Sequence, residues 1–202
     1  MGGLALELDN GQPVPFLSRG SRYVRASFSL GPVLPMPLLD VLPLALVDAA
    51  VVEPLLDEAF GPDRHQRTAY RLREGTQPLP DLSFAMLGET GELAALLQSW
   101  PVALTPPEGA SVPLVLVGPV AVAPRLQGRG LGRGLMERLL VAAETAPALM
   151  LIGDPEYYGR FFGFSAEGTG GWTLPGPVER RRLLARPNGH RLPTSGALGP
   201  RR

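Results

Sequence analysis

Val120-Ala-Val-Ala-Pro-Arg-Leu-Gln-Gly-Arg-Gly-Leu-Gly-Arg133 joins a branched apolar run to an amphipathic one. Upstream, Val112–Val122 is rich in branched residues and reads as a buried strand. Gly118-Pro119 interrupts it. Proline in a central strand is confined to edges and bulges, so a bulge is expected there. Downstream, Leu131, Leu135, Leu139 and Ala142/Ala143 recur at helical spacing and mark a helix with one apolar face, bounded by Pro147. Between strand and helix, Gly128, Gly130 and Gly132 bare the backbone. Without Cβ atoms a left-handed φ is cheap, and successive N–H groups can converge on a ligand. The helix N-terminus adds positive potential. The junction is thus an anion site suited to a diphosphate, with Arg125, Arg129 and Arg133 to charge its rim.

Two common phosphate motifs fail here. A dinucleotide fingerprint needs glycine at relative positions one, three and six, and Arg133 or Leu135 stands at the sixth. A nucleotide P-loop needs a lysine, and the chain has none. What remains is Gln127-x-x-Gly130-x-Gly132 after a strand ending Val122-x-Pro124. This resembles the acetyl-CoA site of GNAT-type N-acetyltransferases. A second stretch, Leu151-Ile-Gly-Asp-Pro-Glu-Tyr-Tyr-Gly-Arg-Phe-Phe-Gly-Phe164, resembles the strand, helix and Tyr…Gly-Phe ending of that family. Ala59-Phe-Gly-Pro62, Arg67–Arg73, Ser99-Trp-Pro-Val102 and Leu174-Pro-Gly-Pro177 are similar to a bacterial subgroup of predicted N-acetyltransferases. The resemblance covers about residues 42–185. It departs at Phe161-Phe162, where the family has one Phe: either the helix carries an extra residue or its exit differs.

The resemblance implies an α/β fold: a mixed, mostly antiparallel central sheet flanked by helices, with a V-shaped splay between the central strands. Backbone groups of Val120, Ala121 and Val122 would pair with the pantetheine amides of acetyl-CoA. Gln127, Gly128, Arg129, Gly130, Leu131, Gly132 and Arg133 would hold the diphosphate. An amine would attack the thioester, with a backbone N–H near Val120 stabilising the charge that develops on the carbonyl oxygen. Tyr158, neutral at pH 7, would protonate the departing thiolate. Tyr157 points about 100° away on a helix, so at most one of the pair faces the thiol. The general base is unassigned: the 112–122 strand holds no carboxylate, Glu89 and Glu92 sit at a hairpin tip, and Asp154 reads as a helix cap.

Composition bounds the alternatives. The chain has 202 residues, enough for one domain with tails. Basic and acidic residues balance at 19 each, which gives no bulk pull toward nucleic acid or an anionic membrane. With no Cys, disulfides, thiolate metal sites and a cysteine nucleophile are excluded; with only His65 and His190, a multi-histidine site is not expected, nor is any metal. No stretch is apolar for the ~18 residues a bilayer span needs, and a cytoplasmic enzyme is expected. Residues 1–39 read as an irregular N-terminal extension, within which Met36 could be the start. Residues 40–185 form the acyltransferase domain, and 186–202 a flexible C-terminal tail. The acceptor is a small-molecule amine or a protein amino group. A homodimer, a non-catalytic acyl-CoA-binding or sensing module, and an interaction module built on a basic helix stay open.

Elsewhere the local signals are simpler. Leu42–Val47 reads as a strand, Asp48 to Phe60 as a helix stopped by Gly61-Pro62, and Arg64 to Glu74 as a second helix capped by Asp63. Arg64, Arg67, Arg71 and Arg73 would then form a solvated basic face, and Trp100 a core or slot-wall residue. Leu82–Leu87 and Leu93–Leu104 flank a hairpin turn, Gly88–Gly91. Leu149–Ile152 reads as a short buried strand. Asp154-Pro155 caps and opens a helix to about Phe162. Phe164–Ala166, Trp172–Leu174 and Arg182–Ala185 are candidate last strands.

Overall fold

A computed structural model describes residues 40–202 and, before them, the backbone of one short antiparallel pairing, Leu8–Asp9 with Gln12–Pro13. The readings of 1–39 as irregular and of Met36 as a start otherwise lie outside the described residues. Eight strands follow: β1 (Val41–Pro43), β2 (Phe84–Leu87), β3 (Leu93–Thr105), β4 (Val112–Val122), β5 (Ala148–Ile152), β6 (Gly171–Thr173), β7 (Leu183–Arg186) and β8 (Ser195–Pro200). Four helices accompany them: α1 (Ala49–Phe60), α2 (Thr68–Arg71), α3 (Leu131–Ala142) and α4 (Pro155–Phe162). The sheet runs β1-β2-β3-β4-β5-β7, parallel only at β4–β5 along that path. The fold is therefore α/β with a mixed, mostly antiparallel sheet.

The bulge in β4 decides how this sheet opens. Leu97 of β3 stands opposite Val120, but Ser99 stands opposite Val117, so β4 carries one extra residue at Gly118-Pro119, a cis peptide. An extra residue flips the faces that alternate residues occupy. Val115 and Val117 pack in the cluster of Leu135 and Leu139 from α3. Beyond the bulge it is Val120 and Val122 that join that cluster, while Ala121 and Ala123 pack with Val52, Leu55 and Leu56 of α1. The strand pair β4–β5 holds register only at Leu114–Ala148, Val115–Leu149 and Leu116–Met150. From Val117 on, β4 bends away from β5, and Pro119 has no N–H to bridge the gap. This is the expected V-shaped splay.

Local signals set most helix ends. The Asp48 carboxylate accepts from the Ala50 amide at 2.9 Å, and Gly61, at φ +84°, closes α1. Gly91, at φ +85°, turns the hairpin, where the Gly88 amide donates to the Glu92 carbonyl at 2.7 Å.

Four expectations are corrected. The strand at Leu42–Val47 ends at Pro43 and gives way to a single tight turn, Leu44–Leu46. The second helix is broken: Pro62–Gln66 forms a tight helical turn, Arg67 is extended (φ −70°, ψ 145°), and α2 spans only Thr68–Arg71. Phe164–Ala166 makes a lone bridge, Ser165 to Ala185, because Phe162 and Phe164 turn into the core. The stretch read as a flexible tail supplies β8, which pairs antiparallel with β3 (Leu198 opposite Leu104) and parallel with β6. The length of β3 explains this last result. Its outer edge is covered by β2 only as far as Leu97, leaving Val102–Thr105 to bond a further strand. Leu198 is buried against Trp172, Leu104 and Leu72. Leu198→Ala should destabilise the fold by ~2–4 kcal/mol in urea unfolding, as truncation of a packed leucine does. A loss under about 0.5 kcal/mol, the size of a surface substitution, would mean the strand is not docked.

Candidate active site

The glycine turn closes with its amides outward. Gly128 and Gly130 adopt φ +77° and +82°, and Gly130 caps α3 with no side-chain cap. The amide of Gly134 donates to the Gly130 carbonyl at 3.0 Å, the first bond of that helix. The amides of Leu131, Gly132 and Arg133 therefore have no acceptor within the helix. A Cβ built on Gly128 or Gly130 would meet no atom within 4 Å, so the space in front of the turn is open. Gln127 lies back along the strand, its amide donating to the Val122 carbonyl at 3.5 Å. The Leu131 side chain is buried in the α3 core, so only its main chain faces outward. Of the three rim arginines, Arg125 donates to Glu92 at 2.9 Å and Arg133 to Glu137 at 2.8 Å. Glu92 is held down to about 2 by hydrogen bonds, chiefly from Thr90. The rim charge is thus engaged within the protein, and the anion site rests mainly on main-chain donors.

The splay between β4 and β5 opens into a cavity of about 540 Å³. Gly118–Val120 of β4, Ile152 at the end of β5, Gly153 just after it, and Tyr158 of α4 line one side. Helix α4 is fixed at both ends. The Asp154 carboxylate accepts from the Glu156 amide at 3.2 Å, with Pro155 at the first position. At the other end Gly163 is left-handed, its amide donating to the Gly159 carbonyl at 3.2 Å and that of Phe164 to Tyr158 at 3.3 Å. The doubled phenylalanine resolves simply: Phe162 enters the core and Phe161 faces outward beside Arg133 and Arg160.

That geometry aims Tyr158 into the cavity. Its ring lies so close to Gly153 that a Cβ there would fall 2.5 Å from Cε2. Its hydroxyl has no hydrogen bond among the described residues. Burial pushes it up to about 12, so it is a protonated phenol across the neutral range. Tyr157 turns outward and is 37% exposed.

The opposite side of the cavity corrects the reading of a solvated arginine face. Arg64 and Arg73 are only 1% and 8% exposed. The extended Arg67 turns the chain between them, so that both reach inward. Arg64 donates to Asp57 at 2.7 Å and to Glu53 and the Tyr70 hydroxyl. Arg73 lies over the Tyr70 ring at 3.5 Å and the Trp100 ring at 4.6 Å, and donates to the Gln98 side chain at 3.3 Å. Arg67, at the cavity rim, and Arg71, away from it, stay exposed and donate to the carbonyls of Phe60 and Pro175, each at 2.8 Å.

Two carboxylates, Asp154 and Glu179, also line the cavity. Asp154 is committed to its cap, and hydrogen bonding with Glu156 holds it below the usual carboxylate value. Glu179 accepts from Arg181 at 2.6 Å. Nothing in the sequence of Pro175–Arg182 marks Glu179, since proline, glycine and three arginines carry no local signal for a carboxylate in a cavity. Arg181 is indeed exposed, but Arg182 donates to the Gly153 carbonyl at 3.4 Å and Arg180 to that of Trp172. Among the described residues, no three His, Cys, Asp or Glu side chains cluster as metal ligands would, and no helix is long and apolar enough to cross a membrane.

A family model, the acetyltransferase (GNAT) domain, matches residues 48–166. No curated protein matches the chain in sequence. Among solved structures, the chain is similar to a GNAT family N-acetyltransferase (YhbS) from Escherichia coli in complex with CoA. They share 22% identity at a TM-score of 0.62, over 81% of this chain and 89% of that one. It is also similar to a GNAT family acetyltransferase from Brucella melitensis in complex with acetyl-CoA, with 22% identity, TM-score 0.58, and 80% and 94% covered. At such identities the likeness is one of fold.

Proposed function

This chain belongs to the GNAT acetyltransferase family, whose members carry acetyl from acetyl-CoA to an amine, and we propose that the transfer runs by direct attack inside the slot between β4 and β5. The observation that carries the proposal is an uncapped glycine turn at the head of α3, joined through β4 to a cavity that a half-buried tyrosine lines. Bound acetyl-CoA supplies an activated acetyl thioester. The amides of Gly128–Arg133 and the positive end of α3 suit its diphosphate. The freed edge of Val120–Val122 suits its pantetheine amides, and a backbone donor there would stabilise negative charge on the acetyl oxygen.

In this reading a neutral amine forms the C–N bond as the C–S bond breaks. The amine gives up one proton and the departing sulfur takes one, so the exchange balances. Tyr158 donates the proton to sulfur and is reprotonated from solvent. Glu179 is the cavity carboxylate not spent on a cap, and it accepts the amine proton, directly or through water. The enzyme draws on cytoplasmic acetyl-CoA. A binding module without turnover would keep the turn but would have no use for a half-buried phenol at the splay.

The test is release of free thiol from acetyl-CoA with a panel of amines, followed over pH. Tyr158 acts in its protonated form, and burial raises rather than lowers its pKa, so that form persists upward to about 12. Turnover should therefore rise as the amine loses its proton and stay level through about pH 10, where an ordinary tyrosine would be half ionised. A falling limb centred below that point would remove Tyr158 from the acid role. Absence of thiol release with every amine would favour the binding module.

A further inference from the structure

We infer that the acceptor amine carries an anionic group, and that Arg73 receives it. The inference rests on the acetyltransfer reading and names the substrate class for the same cavity. At about 540 Å³ the cavity is sized for a small molecule. Tyr158 and Val120 mark its reacting side, and Arg73 lines it from the segment that follows α2.

Arg73 is a buried guanidinium with no carboxylate in contact; Glu53 acts on it only through space, and less than burial does. Arg64, its neighbour, is paired with Asp57 and Glu53. Arg73 has no carboxylate within ion-pair reach among the described residues. Its hydrogen bonds go to neutral groups, Gln98 and the Tyr70 side chain, and its faces lie against Tyr70 and Trp100. The Trp100 indole N–H, on the ring 4.6 Å from that guanidinium, is likewise buried without an acceptor among the described residues. Burial lowers the Arg73 pKa from the usual arginine value, the mark of a charge stripped of water. Taking an ion from water without a partner is strongly unfavourable, and an incoming anion relieves it. Charge-assisted bonds from guanidinium to carboxylate are also among the strong ones.

The remaining wall agrees in sign. Arg64, Arg67, Arg73 and Arg182 line the cavity against Asp154 and Glu179, and the two acids that neutralise Arg64 stand outside it. A polycation would meet like charge. A zwitterion fits end for end, its amine toward Tyr158 and Glu179 and its carboxylate on Arg73.

The experiment compares kcat/KM for the α-amino acids with that for their primary amides, and includes O-phosphoethanolamine against ethanolamine and spermidine as a polycation. The best acid should exceed its own amide by at least about 30-fold in the wild-type enzyme. Arg73→Gln should bring that ratio to within about threefold, and Arg73→Lys, which keeps the charge but loses the stacked plane, should fall between the two. A phosphate-bearing amine that outruns every carboxylate, with the same dependence on Arg73, would also support an anion on this residue. Amides or spermidine acetylated as well as the acids would overturn the inference and leave acetyltransfer standing, as would turnover of none of the acids while acetyl-CoA binds. Failure of acetyl-CoA to bind in calorimetry would sink the acetyltransfer reading itself, and this inference with it.

Discussion

Tyr158→Phe should lower turnover by about 100-fold while leaving the affinity for acetyl-CoA nearly unchanged. The substitution removes one oxygen from a ring that keeps every other contact. The ring lies on Gly153 and near Phe162 and Phe164, and phenylalanine preserves those packings. The lost hydroxyl has no hydrogen-bond partner among the described residues, so no acceptor is orphaned and the fold should hold. The effect then falls on proton delivery to sulfur, a term present only as the C–S bond breaks. A fall in kcat without a rise in KM is the expected pattern. Equal turnover in the two enzymes would show that solvent supplies the proton.

The second large effect concerns the turn. Gly130→Val should weaken acetyl-CoA binding by about 100-fold or more, roughly 2.7 kcal/mol. Gly130 sits at φ +82°, which disfavours any L side chain and a β-branched one most. Its new Cβ would also project into the open space before the turn, where no protein atom lies within 4 Å. Either the side chain occupies the place of the diphosphate or the peptide rotates and the amides lose their aim. An affinity within threefold of wild type would show that the turn does not hold the ligand.

How much of this was legible follows from the range of each interaction. Caps and turns are local, so Asp48, Asp154, Gly61, Gly91 and the glycine turn could be read directly. The bulge at Gly118-Pro119 was legible because proline cannot continue a ladder. The broken second helix was not: Arg64–Glu74 reads as a helix by local preference. What breaks it is the extended Arg67, which lets Arg64 reach Asp57 and lets Arg73 meet Trp100, a residue distant in sequence. Ser195–Pro200 has a poor strand composition, and it forms β8 only because β3 offers an uncovered edge. Tyr158 comes from the resemblance of Leu151–Phe164 to the family's strand, helix and Tyr…Gly-Phe ending, since local pattern alone does not mark a proton donor. Glu179 and the buried state of Arg73 depend on contacts between distant segments, which no window of sequence contains.

The central claim is that main-chain amides at the head of α3 grip the diphosphate of acetyl-CoA. It is tested most directly by following the ¹H–¹⁵N resonances of this 202-residue chain as CoA is added. The account predicts that the amides of Gly128, Gly130, Leu131, Gly132 and Arg133 move together and saturate with the heat of binding. Saturable binding that leaves those resonances in place, or no binding at all, would contradict it.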